Sequence, residues 1–470
     1  MLTKSNPSKK GTGRKWVAFY VIVVFLWGLV FVTTLRSWIV GRQILVDRLD
    51  ISVYTNPLLV FNLVFLAANL FILLFYLAFY DRATRRQIEA KQKMIQSQAE
   101  WTDGMRATNK VPLCSIIIPA RNEEGVIKDT IVSCLTQTYS NIEVLVVCHN
   151  CDDGTYAKAS QVKDSRVRAV ELVTKESGKG IALNHGVKLS KGQYLLILDG
   201  DGKLNERFLE DALPMFLQGK EIAAIQGRYI PSNRNFNLVT RMLSLEGDLW
   251  STPFMTLRMV LGRRTPLGGT GYIIRRDVLA EVGGFINHLV DDYELTFRLL
   301  RNRYKVLFAP LSINYDEKPA TVDSMIKQRS RWVRGFFDLM KIRVAEPRDI
   351  VGNLFWVNPL TAFTGLILLV IAAYATVHLW IFGYFPFHFS YIPLAIWSGL
   401  TVITFGLYTA VLYRGYGSKG LQYAALLPLY LAFSNYYFVV SIKAFFVKSW
   451  AETKTTHGFV VRDKNAIRAE

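Results

Sequence analysis

SIIIPARNEE, residues 115–124, is the stretch of sequence from which the fold can be predicted. Its first half is a short β-branched run typical of a buried strand, and its second half is polar. Two similar apolar runs follow at Ile142–Val147 and Tyr194–Leu198, with helical patterns at 124–138 and 180–190 between the strands. Alternating strands and helices predict an α/β domain with a mostly parallel sheet and crossover helices. Ligands bind at the carboxyl ends of such strands, so we expect the functional loops there.

Long apolar segments lie on both sides of this region. Of the 470 residues, 51% are hydrophobic, which is high for a soluble protein of this length. Trp16–Ile39 and Pro57–Tyr80 each reach the ~20 residues that cross the hydrocarbon core of a bilayer. Three further segments follow the α/β region, at Leu354–Phe382, Tyr391–Tyr413 and Leu421–Phe446. We therefore predict membrane helices before and after the α/β domain.

The charge pattern agrees with a membrane location. The net charge is +19, but the basic residues flank apolar segments instead of forming one stripe, which disfavours nucleic-acid binding. Two clusters are typical of anchors beside anionic lipid headgroups. They are Lys4, Lys9, Lys10, Arg14 and Lys15, and Arg82, Arg85, Arg86, Lys91 and Lys93. Three C-terminal crossings would leave the basic tail (447–470) outside, against the charge rule, so the number of crossings stays open.

The four cysteines are Cys114, Cys134, Cys148 and Cys151. The last two form a C-x-x-C pair, a spacing that also occurs in zinc and redox sites. No second pair of metal-ligating residues accompanies it in the sequence, and it directly follows an apolar strand. We therefore expect reduced, free thiols.

Asp199 and Asp201, separated by Gly200, follow the third apolar run. Two carboxylates at a strand end can point toward one divalent cation, and a nucleoside diphosphate needs such an ion to neutralise its charge as it leaves. An acidic turn without a ligand is the alternative. The preceding Lys179-Gly180 segment and the strand context favour a metal and diphosphate site.

Asp291-Asp292-Tyr293-Glu294 opens a predicted helix. Acids in a first helical turn are stabilised by the helix dipole, so capping is one interpretation. Sugar transfer with inversion also needs one carboxylate that takes the proton from the attacking hydroxyl. We assign that role to Asp292, and a structural role to Asp291 and Glu294.

Gln328, Arg331 and Trp332 share one helical stretch, in which Gln328 and Arg331 lie on one face. Arginine can bind two pyrophosphate oxygens, and the tryptophan ring offers a flat face to a sugar. The alternative is an amphipathic helix on the membrane surface, which Arg329, Arg331 and Arg334 would also fit.

In this order, the motifs and the flanking apolar segments resemble the membrane-embedded processive family 2 glycosyltransferases, the group of cellulose, hyaluronan, chitin and poly-N-acetylglucosamine synthases. The resemblance runs from about Trp16 to His457. It implies a GT-A-type domain inserted between two sets of transmembrane helices, a UDP-sugar donor and a Mg²⁺ or Mn²⁺ ion. It also implies an inverting single displacement and a product chain that passes through a channel between the helices.

The resemblance implies this organisation and these site residues. The regions are 1–110 (basic segment, two transmembrane helices, linker), 111–345 (cytosolic transferase domain), 346–446 (transmembrane helices) and 447–470 (tail). Donor contacts are Ala120, Asn122, Glu123, His149, Asp153, Lys179, Asp199, Gln328 and Arg331. The metal ligands are Asp201 and Asp199, and the base is Asp292. Acceptor contacts are Gly269, Thr270, Gly271 and Trp332, and Trp450, Thr453 and Lys454 resemble a gating segment.

One position departs from the family pattern. These enzymes usually place an aspartate against the uracil after the second strand, whereas this chain has His149 there. Either His149 contacts the base, or the loop shifts and a nearby acid replaces it.

We expect a plasma-membrane enzyme with a cytoplasmic catalytic domain that polymerises a UDP-hexose into a β-linked extracellular or capsular polysaccharide and translocates it. Glucose is favoured as the monomer, with N-acetylglucosamine and alternating hyaluronan-type polymers as alternatives. A second hypothesis is a transferase that adds one sugar to a lipid carrier. A non-catalytic membrane scaffold is disfavoured because the expected catalytic acids are present. The partners expected are the UDP-sugar, the growing polysaccharide and membrane lipid, and a homo-oligomer stays open.

Overall fold

The computed structural model describes residues 73–82, 84–89, 92, 112–262, 264–343, 377, 381–382, 394–433 and 436–447. The predicted segment Trp16–Ile39, most of Pro57–Tyr80 and of Leu354–Phe382, and the gating residues Trp450, Thr453 and Lys454 lie outside these ranges.

One eight-stranded sheet organises residues 112–335. Its strands are β1 (Cys114–Ala120), β2 (Ile142–His149), β3 (Val167–Leu172), β4 (Tyr194–Ile197), β5 (Lys203–Leu204), β6 (Ile222–Pro231), β7 (Tyr272–Arg275) and β8 (Lys305–Asp316). Their order is β3-β2-β1-β4-β7-β6-β8-β5. Four neighbouring pairs are parallel and three are antiparallel. The predicted α/β domain with a mostly parallel sheet is confirmed.

The helices between the strands are α1 (Ile127–Leu135), α2 (Thr155–Ser160), α3 (Lys179–Leu189), α4 (Phe208–Ala212), α5 (Leu238–Glu246), α6 (Thr252–Gly262), α7 (Arg276–Glu281) and α8 (Asp291–Arg301). After β8 come α9 (Val322–Arg343), α10 (Leu394–Tyr416), α11 (Ser418–Ala424), α12 (Leu427–Phe433) and α13 (Tyr437–Ala444). A short 3-10 helix (Leu213–Gln218) follows α4, and a π-helical turn (Gly247–Ser251) joins α5 to α6.

Both faces of the sheet are covered, as the apolar strands predict. Along β1, Ile116 and Ile118 pack into one core cluster with Ile127 of α1. Ile117, pointing to the other face, packs into a second cluster with Leu183 of α3. Successive strand residues alternate between faces, so a run of three isoleucines requires a helix on each side.

The topology predicts where a ligand should lie. From β1 the chain adds β2 and β3 on one side and then crosses to β4 on the other. The loops after β1 and β4 therefore diverge and leave a crevice at the carboxyl ends of these two strands. Asp199 and Asp201 follow β4, and Asn122 and Glu123 follow β1, so all four flank that crevice.

The helical region after β8 is divided more finely than the predicted segments. The segment Leu421–Phe446, for which the sequence left the number of crossings open, is divided among α11, α12 and α13. Pro428 lies at the start of α12, and a proline lacks the N–H that a continuing helix needs. Helix α10 is 23 residues long and overlaps the predicted segment Tyr391–Tyr413. Within the described ranges, no helix combines the length and the apolar character needed to span a bilayer.

Candidate active site

Lys179 joins three parts of the crevice. It is the first residue of α3, and its Nζ lies 2.5 Å from Asp199 Oδ1, beyond β4. The same Nζ donates a hydrogen bond to the carbonyl oxygen of Gly269 at 2.6 Å. The sequence predicted Lys179 and Asp199 as donor contacts, and the structure brings them into direct contact.

The loop Gly268–Gly271 lies against the same aspartate. Asp199 N–H donates to Thr270 Oγ1 at 2.8 Å, so the loop holds the backbone that carries the aspartate pair. Gly269 has φ +84 and Gly271 has φ +60, a left-handed conformation that glycine adopts without strain. Thr270, predicted as an acceptor contact, is buried and therefore supports the loop from inside.

Asp292 faces this loop from the start of α8. A Cβ added to Gly269 would lie 3.3 Å from Asp292 Oδ2 and 3.8 Å from Lys179 Nζ. The predicted base, the lysine and the loop thus surround one point. Asp292 Oδ1 accepts a hydrogen bond from Tyr293 N–H at 2.8 Å, so one carboxylate oxygen stabilises the helix start while the other faces the site.

The environment of Asp292 suits a proton acceptor. Burial and the neighbouring carboxylate of Asp291 raise its pKa to about 7, against the opposing effects of Tyr293 N–H, Lys179 and Arg331. Burial also raises the pKa of Asp291, and the carboxylate of Asp199 adds to the effect. A carboxyl group with a pKa near neutrality can both accept and release a proton at physiological pH.

Lys179 stays charged in this setting. Burial, the largest single influence, lowers its pKa, but Asp199, Asp291 and Asp292 together outweigh burial, and the pKa is raised. The crevice therefore holds an ammonium group among three carboxyl groups. A cation fixed beside Asp199 can bind the phosphate oxygens of a donor.

Of the Gln328–Trp332 cluster on α9, Arg331 lies nearest the acids. Its Nη1 donates to the carbonyl oxygen of Leu289 at 3.0 Å, just before Asp291. Its Nε is buried and has no hydrogen-bond partner among the described residues. Burial lowers the pKa of Arg331, and Asp291 and Asp292 oppose that effect. The guanidinium thus faces the acidic pair and keeps one donor for a ligand.

The other members of this cluster differ in their surroundings. Trp332 packs against the small cluster of Val290 and Leu339. The Arg329 guanidinium lies over the Trp332 ring, 4.1 Å from the ring centroid. Gln328 is half-buried on the same helix. Arg329 is buried and paired with Glu246 of α5 at 2.9 Å. A surface helix would expose Arg329, so the amphipathic alternative is wrong at this position.

The predicted donor residues after β1 bind the neighbouring loop. Asn122 Oδ1 accepts from Asp152 N–H at 2.9 Å, and Glu123 N–H donates to Thr155 Oγ1 at 2.8 Å. Asp153 accepts hydrogen bonds from the backbone N–H groups of Glu124 at 3.2 Å and of Thr155 at 3.0 Å. These side chains hold the loops after β1 and β2 together, and Ala120 ends β1 beneath them.

His149 is the last residue of β2 and is buried. Its Nε2 lies 2.7 Å from Thr174 Oγ1. Burial is the main cause that lowers the pKa of His149, and Arg121 adds to it, so the imidazole is neutral at pH 7. His149 is therefore a packed side chain at the rim of the crevice, beside the residues predicted to contact the nucleotide.

Asp199 and Asp201 fit a divalent metal ion whose other ligands come from the substrate. The Asp199 side chain is 37% exposed, and only its Oδ1 is ion-paired with Lys179. The described residues hold no cluster of three or more His, Cys, Asp or Glu side chains able to ligate a metal. Mg²⁺ commonly takes one or two carboxylates and fills its remaining positions with phosphate oxygens and water. Such an ion would therefore arrive with the diphosphate.

Two residues in the site were not predicted. Gln226 on β6 accepts a hydrogen bond from Gly268 N–H at 2.9 Å and donates to the carbonyl oxygens of Thr270 and Gly271, each at 3.1 Å. Tyr229 Oη donates to the carbonyl oxygen of Thr270 at 3.0 Å. The sequence signal for Gln226 was a glutamine directly after the apolar residues IAAI of β6. In the structure this side chain is fully buried, and a buried polar group needs hydrogen-bond partners.

Residues 112–335 match the family model described as glycosyltransferase like family 2. A probable glycosyltransferase, YdaM, of Bacillus subtilis is 27% identical over 243 residues, 50% of this chain and 57% of that protein. A β-monoglucosyldiacylglycerol synthase of Trichormus variabilis is 29% identical over 235 residues, 48% of this chain and 49% of that protein. A poly-β-1,6-N-acetyl-D-glucosamine synthase of Staphylococcus aureus is 21% identical over 245 residues, 49% of this chain and 58% of that protein.

The chain spans about half the length of these curated relatives. Among solved structures, the mannosyltransferase PcManGT from Pyrobaculum calidifontis, in complex with GDP-mannose and Mn²⁺, aligns with 75% of this chain and 98% of its own, with 17% identity and a TM-score of 0.47. The match to the family model covers the whole eight-stranded sheet and ends on α9, after Trp332. Residues 112–335 are therefore similar to a family 2 glycosyltransferase domain.

Proposed function

We propose that this protein transfers a hexosyl group from a UDP-sugar to a hydroxyl group with inversion, using Asp292 as the general base. The observation that carries the proposal is the position of Asp292, whose Oδ2 faces the same point of the crevice as Lys179 Nζ. A base must lie within reach of the attacking hydroxyl, and the donor phosphates must lie beside a fixed cation. Both requirements are met around Gly269.

Each of these residues would have a separate role in the transfer. Asp292 takes the proton of the acceptor hydroxyl as its oxygen forms a bond to the anomeric carbon. The bond from that carbon to the phosphate oxygen breaks, and its electron pair leaves with the nucleoside diphosphate. Lys179 and Arg331 lie where they can bind the departing phosphate oxygens. When bound at Asp199 and Asp201, a divalent ion would neutralise charge on the diphosphate.

We further propose that the enzyme is an integral plasma-membrane protein with this domain on the cytoplasmic side. The apolar segments Trp16–Ile39 and Leu354–Phe382 and the basic residues beside them support this location. The product would be a β-linked extracellular or capsular polysaccharide, made processively, with glucose as the favoured monomer. The Gln328–Trp332 cluster and the similarity to a poly-β-1,6-N-acetyl-D-glucosamine synthase support a polymerising activity.

A second candidate is a single transfer to a lipid. It is favoured by the similarity to β-monoglucosyldiacylglycerol synthases, at 29% identity. This relative also supports glucose as the transferred sugar. The two candidates share the donor and the base, and differ only in the acceptor.

A donor screen separates them. Purified protein in detergent is incubated with Mg²⁺ or Mn²⁺, diacylglycerol-containing micelles and, in turn, UDP-glucose, UDP-N-acetylglucosamine, UDP-glucuronate and UDP-galactose. We expect UDP release and a high-molecular-mass product from one donor, absent with Asp292→Asn. UDP release with only a lipid-soluble monosaccharide product would establish the second candidate. No metal-dependent UDP release from any donor, alone or in pairs, would overturn both.

A further inference from the structure

Two of the four cysteines lie together behind the loop that follows β1. Cys148, near the end of β2, is fully buried, and Cys151 is half-buried. Ala120 contacts both residues. It is in register with Cys148 across the β1–β2 pair, and its carbonyl oxygen accepts a hydrogen bond from Cys151 Sγ at 3.5 Å. The two residues therefore lie side by side, and Cys151 packs against the core cluster that contains Cys148.

A fixed turn brings the two thiols together. Asn150, between them, has φ +48, a left-handed conformation that asparagine tolerates better than most residues. Its Oδ1 accepts from Thr174 N–H and its Nδ2 donates to the Thr174 carbonyl oxygen, both at 2.9 Å. The two hydrogen bonds to Thr174 fix the conformation of this turn, and the turn places Cys151 close to Cys148.

The two thiols differ in reactivity. The neighbouring Cys148 thiol is the main cause that lowers the pKa of the Cys151 thiol to about 7, while burial and Asp153 oppose it. The same pairing and burial raise the pKa of Cys148, and burial raises the pKa of Cys114 and of Cys134. The thiolate is the reactive form of cysteine, so Cys151 is the one thiol of the four that is both accessible and ionised near neutral pH.

We propose that Cys151 and Cys148 form a peroxide-oxidisable dithiol, in which Cys151 reacts first and Cys148 resolves the product to a disulfide. The Cys151 thiolate attacks one oxygen of hydrogen peroxide, the O–O bond breaks, and the leaving hydroxide takes a proton to become water. Cys148 Sγ then attacks Cys151 Sγ, the S–O bond breaks, and the Cys148 proton leaves with that hydroxyl as a second water. Two thiols lose two electrons to the peroxide.

The disulfide would act on the loops around the crevice. It removes the S–H group that donates to the Ala120 carbonyl oxygen. The segment after Cys151 is bonded to the β1 loop through Asp152 N–H to Asn122 and Asp153 to Glu124 N–H. A shift of Cys151 toward Cys148 therefore pulls on Asn122 and Glu124. Since these loops are the proposed donor site, we expect oxidised protein to bind the UDP-sugar more weakly, a consequence that rests on the proposed function.

The site itself is tested without an activity assay. Reduced full-length protein is titrated with hydrogen peroxide, remaining thiols are alkylated, and tryptic peptides are analysed by mass spectrometry. The peptide Asp129–Lys158 carries Cys134, Cys148 and Cys151. We expect it to lose two hydrogen masses and to keep one alkylated cysteine, Cys134, and dithiothreitol should reverse the loss.

Single substitutions assign the roles. Cys148→Ala should stop at a Cys151 sulfenic acid that dimedone traps, and Cys151→Ser should leave Cys148 reduced. Cys134→Ala is the matched control, because it removes a buried thiol of the same peptide and should form the disulfide as the wild type does. Oxidation of Cys114 or Cys134 before Cys151, or no disulfide at a peroxide concentration that oxidises free glutathione, would overturn the proposal.

The link to donor binding has its own readout. The KM for the UDP-sugar should rise in proportion to the disulfide fraction, return after reduction, and stay constant in Cys151→Ser. If the disulfide forms and the KM is unchanged, the proposed effect on donor binding is wrong, but the dithiol site still stands. Absence of any transferase activity would overturn the proposed function, while the thiol mapping would still decide the dithiol.

Discussion

Asp292 combines a structural and a chemical role in one carboxylate. Oδ1 accepts the Tyr293 N–H at the start of α8, which orients the side chain, and Oδ2 faces Gly269 and Lys179. Asp291 lies beside it and is buried, so two carboxyl groups share a site in which both cannot easily be charged. Repulsion between them holds a proton that a lone exposed aspartate would lose.

Asp292→Asn should slow transfer strongly and have little effect on donor binding. General base catalysis contributes ~10²- to 10⁴-fold, so kcat should fall by about that factor while the KM for the donor changes little. Asp291→Asn is the matched control, since it replaces the buried carboxylate next to Asp292, which has another role. Steady-state kinetics of UDP release give kcat and the donor KM for both variants. Equal losses in the two variants would contradict the assignment of the base to Asp292.

The pH dependence of the reaction follows from the same pair. The base must be unprotonated, and burial and Asp291 raise the pKa of Asp292 to about 7. Therefore kcat/KM should rise with pH through about 7 and then level off. In Asp291→Asn, the loss of a neighbouring negative charge lowers the pKa of Asp292, so the rise should move to lower pH. A profile that stays in place in this variant would assign the titration to another group.

At the scale of elements, the loop Gly268–Gly271 connects the sheet to the acids. Gln226 on β6 holds it by the N–H of Gly268 and by two carbonyl oxygens. Thr270 then holds Asp199 at the end of β4. The aspartate pair and the base thus belong to different elements that meet at one loop, whose backbone shape requires glycine at position 269.

Gly269→Ala should lower both stability and activity. At φ +84 a side chain costs ~1–3 kcal/mol, and its methyl group would lie 3.3 Å from Asp292 Oδ2. We expect a lower melting temperature and a lower kcat. The matched control is Gly247→Ala, where φ is −59 and an added Cβ meets nothing within 4 Å. That change should leave the melting temperature equal or higher, and a loss as large as that of Gly269→Ala would contradict the argument.

At the scale of the whole molecule, Arg329 connects the transferase domain to the helices that follow it. From α9, it pairs with Glu246 of α5 at 2.9 Å and donates to Tyr436 Oη, before α13, at 3.3 Å. Tyr436 Oη in turn donates to Glu246 at 2.5 Å. Three elements distant in sequence therefore share one buried ionic group, next to the cluster that carries Arg331.

Arg329→Met should destabilise the protein strongly. Removal of one partner of a buried pair leaves Glu246 uncompensated and costs ~3–5 kcal/mol. Arg334→Met is the matched control on the same helix. Its ion pair with Asp338 is also 2.9 Å long, but the two side chains are 31% and 28% exposed, and such pairs contribute ~0–1 kcal/mol. Thermal melting of both variants compares them. Similar decreases in melting temperature would show that burial does not determine how much these ion pairs contribute to stability.

The strand pattern and the motif order were readable from local sequence. Apolar runs predicted β1, β2 and β4, because a strand covered on both faces must be apolar throughout. The number of crossings at Leu421–Phe446 stayed open, because hydropathy measures burial and does not register where one helix ends and the next begins, as between α11, α12 and α13. The roles of Gln226 and Arg329 also escaped prediction, since each depends on partners far away in the chain.

The sequence by itself determined that strands and helices alternate, that positions 268, 269 and 271 are glycine, and that acids follow β4 and open α8. Those properties depend on residue types and near neighbours, which a linear chain displays. Only the tertiary structure decided that Asp292 lies beside Lys179 and Asp291, and that Cys151 lies against Cys148 and Ala120. A carboxyl or thiol pKa depends on burial and on charges a few ångströms away, and those distances exist only after the chain has folded.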